Sequence, residues 1–478
     1  MYIYFCIGIF VLIYLLRLYY LWEQRKSIYK DIPGINQLLT PPVAQRLIPW
    51  FPFLKRYHPV ISPAISNPEW HNTYGNGSSM YKMVHWNRVT ISINDIEFAR
   101  YIAGKVSDKF SKEGILLPSY MNEQFGQNIF SSIDTHIWKR HHRHLFSMFT
   151  QNGCSDVITH SKNVFKKWKE TLHGDNRRNI FAEFPRLFLQ ISALTLFGCD
   201  IDLSLADDVL LIMSNIGYFQ TLPLFVRRYY PFGIISQLRD AKRRFDQQID
   251  KLLLLKEDNL SESTDIISQM MREGSLSHEE IRSNCFALMV AGTDAPATAL
   301  SFALTHLAMN SHIQNNASEI VSSVLKGSED ISIENIDELE YLEYIMKETL
   351  RITPPVQSIN RKVIEDFTWK SHNIPSGTYI AIPHVLRQID SSLFPDPKSF
   401  NPDRWRNDRI EAYSWSPFGF GRRICMGITM AKLQYIPIIS MILSSYTLSV
   451  DKDYTSLEVE SILVSKPKKD TYVTFTQK

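Results

Sequence analysis

Ser416-Pro417-Phe418-Gly419-Phe420-Gly421-Arg422-Arg423-Ile424-Cys425-Met426-Gly427 is the stretch that decides how the rest of the chain is read. It places one cysteine, Cys425, in a glycine-rich loop followed at once by an apolar run of helical character. Gly419, Gly421 and Gly427 admit backbone conformations closed to other residues and let a large flat ligand come close. Arg422 and Arg423 put positive charge beside the sulfur, which favours thiolate over thiol. A helix starting near Met426 adds its positive end. A thiolate held this way suits strong donation to a single metal. A lone loop cysteine is most often an inert buried one. Here Phe418, Gly421, Arg423, Cys425 and Gly427 stand at fixed offsets, with Ala431 four positions further on.

That pattern closely resembles the haem-binding signature of the cytochrome P450 family, in which a cysteine thiolate is the axial iron ligand. Further family motifs occur in the expected order, so the resemblance covers nearly the whole chain. It implies a mainly α fold with a small β lobe, a triangular helical prism around haem b (iron protoporphyrin IX), with Cys425 on the metal. Phe418, Gly421, Arg423 and Gly427 would complete the cofactor loop.

Size and charge are compatible with that reading. The 478 residues contain no long linker and no internal repeat, which favours one large catalytic domain. A net charge of +3 gives no reason to expect nucleic acid as a partner. The five cysteines are scattered without a C-x-x-C pair, against a disulfide framework or zinc site and for a reducing compartment.

Residues 2–22 are almost wholly apolar, and some twenty helical residues span about 30 Å of bilayer. Tyr19, Tyr20 and Trp22 suit an interface, and Arg25, Lys26 and Lys30 follow the run. The expected organisation is a membrane anchor over 1–24, a hinge over 25–45 that includes Asp31-Ile32-Pro33-Gly34 and Pro41-Pro42, and a catalytic domain over 46–478. The positive flank predicts a single-pass protein of the endoplasmic reticulum with a cytosolic domain. The sequons headed by Asn76, Asn259 and Asn316 should then carry no glycan. Residues 80–93 read as a hairpin, and 105–130 as an irregular segment.

Ile137-Trp138-Lys139-Arg140-His141-His142-Arg143-His144 opens a basic helix, ordinarily a solvated cationic face. The resemblance makes Trp138 and a basic residue four positions on partners of a haem propionate. The second position holds His142 rather than arginine. Arg361, with Arg423, matches positions that bind propionates in the family.

Ser277-His278-Glu279-Glu280 is a capping box opening a long apolar helix to about Asn310. Its centre is Ala291-Gly292-Thr293-Asp294-Ala295-Pro296-Ala297-Thr298. Pro296 cannot donate to the Gly292 carbonyl, so a kink or opening is predicted there. By itself this is an ordinary kinked core helix. By resemblance, its groove lies over the iron and receives water and dioxygen. The family places an alcohol directly after the acid, whereas this chain has Ala295. Asp294 then carries proton relay, with Thr298 first and Thr293 second as replacement hydroxyls.

Glu348-Thr349-Leu350-Arg351 puts opposite charges on one helix face, by default a surface pair of small worth. The resemblance joins Glu348 and Arg351 to Arg404, within Phe400-Asn401-Pro402-Asp403-Arg404-Trp405, as a buried charge network. The function implied is a monooxygenase inserting one oxygen atom into a lipophilic small molecule such as a terpenoid, steroid, fatty acid or other secondary metabolite. Electrons would come from an NADPH-cytochrome reductase, with a b-type cytochrome as a further donor, docking on Lys139, Arg140, Arg143 and Arg422. Ala295 leaves open an isomerase or dehydratase that uses no dioxygen. A non-enzymatic membrane haem protein is a third reading, disfavoured by the acid-bearing helix.

Overall fold

The computed structural model describes residues 16–478 apart from 18, 37–67, 76–77, 86–87, 113–125, 134, 152, 173–175, 220–228, 230–232, 259, 261–262, 329–330, 408–409 and 462–463. The chain divides into two compact units, one of Met1–Ile115, Gln357–Leu393 and Glu411–Arg423, the other of Leu116–Val356, Phe394–Ile410 and Ile424–Lys478.

The first unit is built on a mixed sheet. β1 (Gly34–Asn36) lies parallel to β2 (Met80–His85), which pairs antiparallel with β3 (Arg88–Ile93). β4 (Phe110–Ser111), β5 (Ile359–Val363) and β6 (Tyr379–Ile382) complete it in the spatial order β1-β2-β3-β6-β5-β4. The hairpin falls where 80–93 predicted it. The break at Asp31–Gly34 leads into β1. The Lys82 N–H donates to the Pro33 carbonyl at 2.8 Å. Gly34 has φ +148, and a Cβ there would fall 2.0 Å from the Lys82 carbonyl oxygen, so only glycine lets the strands meet. Pro41-Pro42 and residues 1–15 of the expected anchor lie outside the described residues, while residues 19–28 are helical.

α1 (Ile96–Ala103) starts where the Asp95 carboxylate accepts the Phe98 N–H at 3.2 Å. It turns Phe98, Ala99 and Ile102 onto the sheet residues Val84, Ile91 and Ile380. Phe98 packs edge-on to Trp369, ring centroids 5.0 Å apart. Gly421 of the cysteine loop closes on the end of α1: with φ +66, its Cβ would lie 3.1 Å from the Ala103 Cα.

The second unit is mainly helical. Its helices include α2 (Thr135–Phe146), α3 (Asp156–Lys169), α4 (Ile180–Phe197), α5 (Leu203–Phe219) and α6 (Gly233–Glu257). They continue with α7 (His278–Ala291), α8 (Asp294–Met309), α9 (Glu340–Ile352) and α10 (Ile428–Ser445). Among the described residues, three stretches, Ile180–Phe197, His278–Met309 and Ile428–Ser445, are long and apolar enough to cross a membrane, yet 61 to 67 % of their apolar windows is buried. Their all-round hydrophobicity is that of interior helices. β7 (Tyr446–Val450) pairs antiparallel with the last strand, and β8 (Val459–Ser461) forms a hairpin with β9 (Ser465–Pro467).

Candidate functional site

The capping box at Ser277 is present: the Ser277 hydroxyl accepts the Glu280 N–H, and the Glu280 carboxylate accepts the Ser277 N–H at 2.9 Å. The helix it starts is interrupted at Gly292 and Thr293 and resumes as α8. Pro296 leaves the Gly292 carbonyl without its helical donor, and Ser192 of α4 fills the place with its hydroxyl at 2.9 Å. A Cβ on residue 292 would lie 2.7 Å from that hydroxyl oxygen, so glycine is what admits Ser192. Gly292, Pro296 and Ser192 therefore form one device that opens the helix beside Asp294.

The two candidate hydroxyls fare differently. Thr293 is buried and donates to the Met289 carbonyl at 2.6 Å, its proton already used inside the helix. Thr298, also buried, accepts instead from the Lys466 ammonium at 3.2 Å. The same ammonium donates to Asp294 Oδ1 at 2.6 Å. Asp294, Thr298 and Lys466 thus make one polar cluster joining α8 to β9.

Cys425 is an exposed thiol just ahead of α10, which begins at Ile428, two residues beyond the expected start. Gly427 has φ −81, a value any residue adopts; its hydrogen matters for space, since a Cβ would stand 3.7 Å from the Cys425 sulfur. In the first unit, Gly419 (φ +79) and Gly421 take left-handed conformations. The expected arginine pair separates in role. Arg422 donates to Asp108 at 2.7 Å, so its charge is matched at the surface. Arg423 lies near Arg361, and burial together with that neighbour's charge pulls it down to about 9. Burial alone pulls Arg361 down to about 10, and its Nη1 donates to the Asn360 carbonyl at 2.8 Å.

In the second unit, Trp138 and His142 pack ring on ring one turn apart on α2, centroids 4.8 Å apart. Arg140 pairs with Glu280, while Lys139 and Arg143, the other members of the proposed docking set on that helix, are exposed and pair with no carboxylate among the described residues.

Glu348, Arg351 and Arg404 come together with side-chain exposures of 0, 0 and 5 %. Arg351 donates to both Glu348 oxygens, at 2.9 and 2.8 Å, and Arg404 Nε to Oε1 at 3.0 Å. The Trp405 indole and the Asn401 N–H add donors at 3.0 Å each. Arg351 and Arg404 then spend their remaining N–H groups on the carbonyls of Pro395, Asp396, Pro397 and Ser399.

The family model for cytochrome P450 matches residues 51–475. The chain belongs to the cytochrome P450 family. It is similar to a probable cytochrome P450 6a21 of Drosophila melanogaster, 22 % identical over 80 % of this chain and 83 % of the relative. A probable cytochrome P450 4s3 of the same fly is 34 % identical over 40 % of this chain and 37 % of the relative. A steroid (22S)-hydroxylase of Oryza sativa subsp. indica is 30 % identical over 40 % of each. In these last two the match spans about two fifths of the relative's length. Among solved structures, retinoic-acid-bound cyanobacterial CYP120A1 superposes with a TM-score of 0.76 at 17 % identity, over 86 % of this chain and 94 % of that one. The fold is that of a cytochrome P450.

A family of this kind implies a haem, and the residues present fit one. Arg361 and Arg423 are neighbouring guanidiniums whose charged forms burial disfavours, an arrangement that anionic propionates would relieve. Cys425 offers an accessible sulfur at the start of a helix. Residues that the sequence reading missed are Ser192, Trp405 and Lys466. Trp405 adjoins Arg404 in a motif already noted, while the other two carry no local signal of their partners.

Proposed function

We propose that this cytochrome P450 is a haem-thiolate monooxygenase acting on a lipophilic small molecule, with Cys425 as the iron ligand. The observation that carries the reading is the opened helix at Gly292–Thr293, with Asp294 and Thr298 directed to one polar cluster in a chain bearing the cysteine signature. When bound, haem b would supply dioxygen activation for insertion of one oxygen atom. The chain's own tasks are to ligate it through Cys425, to pair its propionates through Arg361, Arg423, Trp138 and His142, and to hold protons at the Asp294 carboxylate and the Thr298 hydroxyl. Thr293 is demoted by its bond to Met289. Electrons come from an NADPH-cytochrome reductase, for which Lys139 and Arg143 offer exposed charge. The apolar run at 2–22 supports an anchor in the endoplasmic reticulum membrane.

Cys425→Ser tests the reading. Loss of the thiolate-type carbon monoxide difference band and a fall in oxygenation of at least about 100-fold are expected, since oxygen is the poorer donor. A spectrum and activity equal to the parent's would refute it. Ala295 keeps an isomerase or dehydratase in view. Product formed without consumption of NADPH and dioxygen would select that alternative.

A further inference from the structure

Ala295 takes away the hydroxyl that would follow the acid, and the structure brings a different polar group, the Lys466 ammonium, to Asp294 and Thr298 on either side of it in sequence. Lys466 lies on β9, whose neighbour Ser465 is pinned by two bonds of 2.7 Å, from its N–H to the Pro355 carbonyl and from its hydroxyl to the Pro354 carbonyl. Directly across the hairpin from Lys466 stands Glu460, yet the ammonium donates to Asp294 and to Thr298. Selecting the distant carboxylate over the adjacent one shows that the strand aims this side chain at α8.

The effect on Thr298 is specific. Four other buried helical hydroxyls in the unit donate to the carbonyl four residues back: Thr195 to Ile191, Thr305 to Ser301, Thr349 to Ile345 and Ser440 to Ile436. Such back-bonding uses up the hydroxyl proton. Thr298 accepts from Lys466 and, among the described residues, donates to no carbonyl, so its own proton remains available. Lys466 itself is 39 % exposed and Asp294 21 %, whereas Thr298 is buried. Exposure therefore falls from the ammonium to the carboxylate to the hydroxyl, with the ammonium bonded to both oxygens.

We infer that Lys466 is a positioning residue for proton handling, holding the Asp294 carboxylate in place and turning the Thr298 proton outward, in a chain whose Ala295 has no hydroxyl to do so. The role rests on the monooxygenase reading; the ion pair does not. The first test is chemical: acetylation of the full-length holoenzyme by N-acetoxysuccinimide, quantified at Lys466 by mass spectrometry. Asp294→Asn should raise the modification rate at Lys466 about 5-fold or more, as an ammonium loses its charge partner. The second test uses reductase-supported NADPH oxidation in H2O and D2O. Lys466→Met should lower the rate about 10-fold or more and enlarge the solvent isotope effect, while Lys466→Arg keeps both near the parent's.

Equal acetylation in parent and Asp294→Asn, in an enzyme that oxidises NADPH, overturns the Lys466 assignment alone. An unchanged isotope effect in Lys466→Met does the same, since a merely structural lysine would leave it unmoved. A clear acetylation contrast in a protein that oxidises no NADPH rejects the monooxygenase reading, and with it proton handling, while the ion pair stands.

Discussion

Two groups of arginines carry opposite lessons. Around Glu348, every charge is met: one carboxylate receives two guanidiniums, an indole and a backbone N–H, and the guanidiniums spend their other donors on carbonyls. Arg361 and Arg423 are instead brought near each other: burial lowers both, and the Arg361 charge lowers Arg423 further, while both stay cationic near neutral pH. A saturated cluster is finished by folding, because nothing further can be gained there by binding. A crowded cationic pair is costly until an anion arrives, which is the condition for a site.

The sharpest way to break this contrast is Glu348→Ala. It strands two buried guanidiniums and should cost on the order of 3–5 kcal/mol in urea unfolding; a loss below 1 kcal/mol would mean that the cluster is not the lock of its unit. Next is His306, buried beside that cluster, stacked on Phe400 at 4.6 Å and bonded to Thr353 at 3.1 Å. Burial pushes it down to about 4 from 6.5, so the folded chain keeps it neutral. The unfolded chain takes up the proton below 6.5, so stability is full above that pH and declines as pH falls toward 4. About 2 kcal/mol should be gone by pH 5. His306→Phe should flatten that part of the profile, and parallel parent and variant curves between pH 7 and 5 would reject the assignment. The mildest effect on folding belongs to the other arginine group. Arg361→Met should leave urea stability within about 1 kcal/mol of the parent, or raise it, because it removes a desolvated charge. Haem loss to apomyoglobin should nonetheless speed up about 10-fold. A large folding defect with unchanged haem retention would reverse the contrast.

How far the sequence reaches depends on the range of the physics. The capping box at Ser277, the opening near Pro296 and the hairpin at 80–93 follow from local rules, since a proline's missing donor and a strand's alternation act within a few residues. The grouping of Glu348, Arg351 and Arg404 was legible only through a family pattern, because Arg404 lies far along the chain. The start of β1 at Gly34 was not legible, because the strand is defined by its pairing with β2 near Lys82, which no local composition reveals. The charge expected from Arg422 beside the sulfur goes to Asp108, a partner that only folding supplies.

The sequence by itself determined which chemistry this chain is equipped for: a cysteine in its glycine-rich loop, an acid in a helix that proline must open, and an alanine where an alcohol was due. Tertiary structure decided what surrounds them. It set Ser192 on the Gly292 carbonyl and Lys466 on Asp294 and Thr298, and brought Arg423 close to Arg361. Backbone hydrogen-bonding needs are written residue by residue. The partner that meets a buried charge or an orphaned carbonyl is chosen by packing among residues distant in the chain.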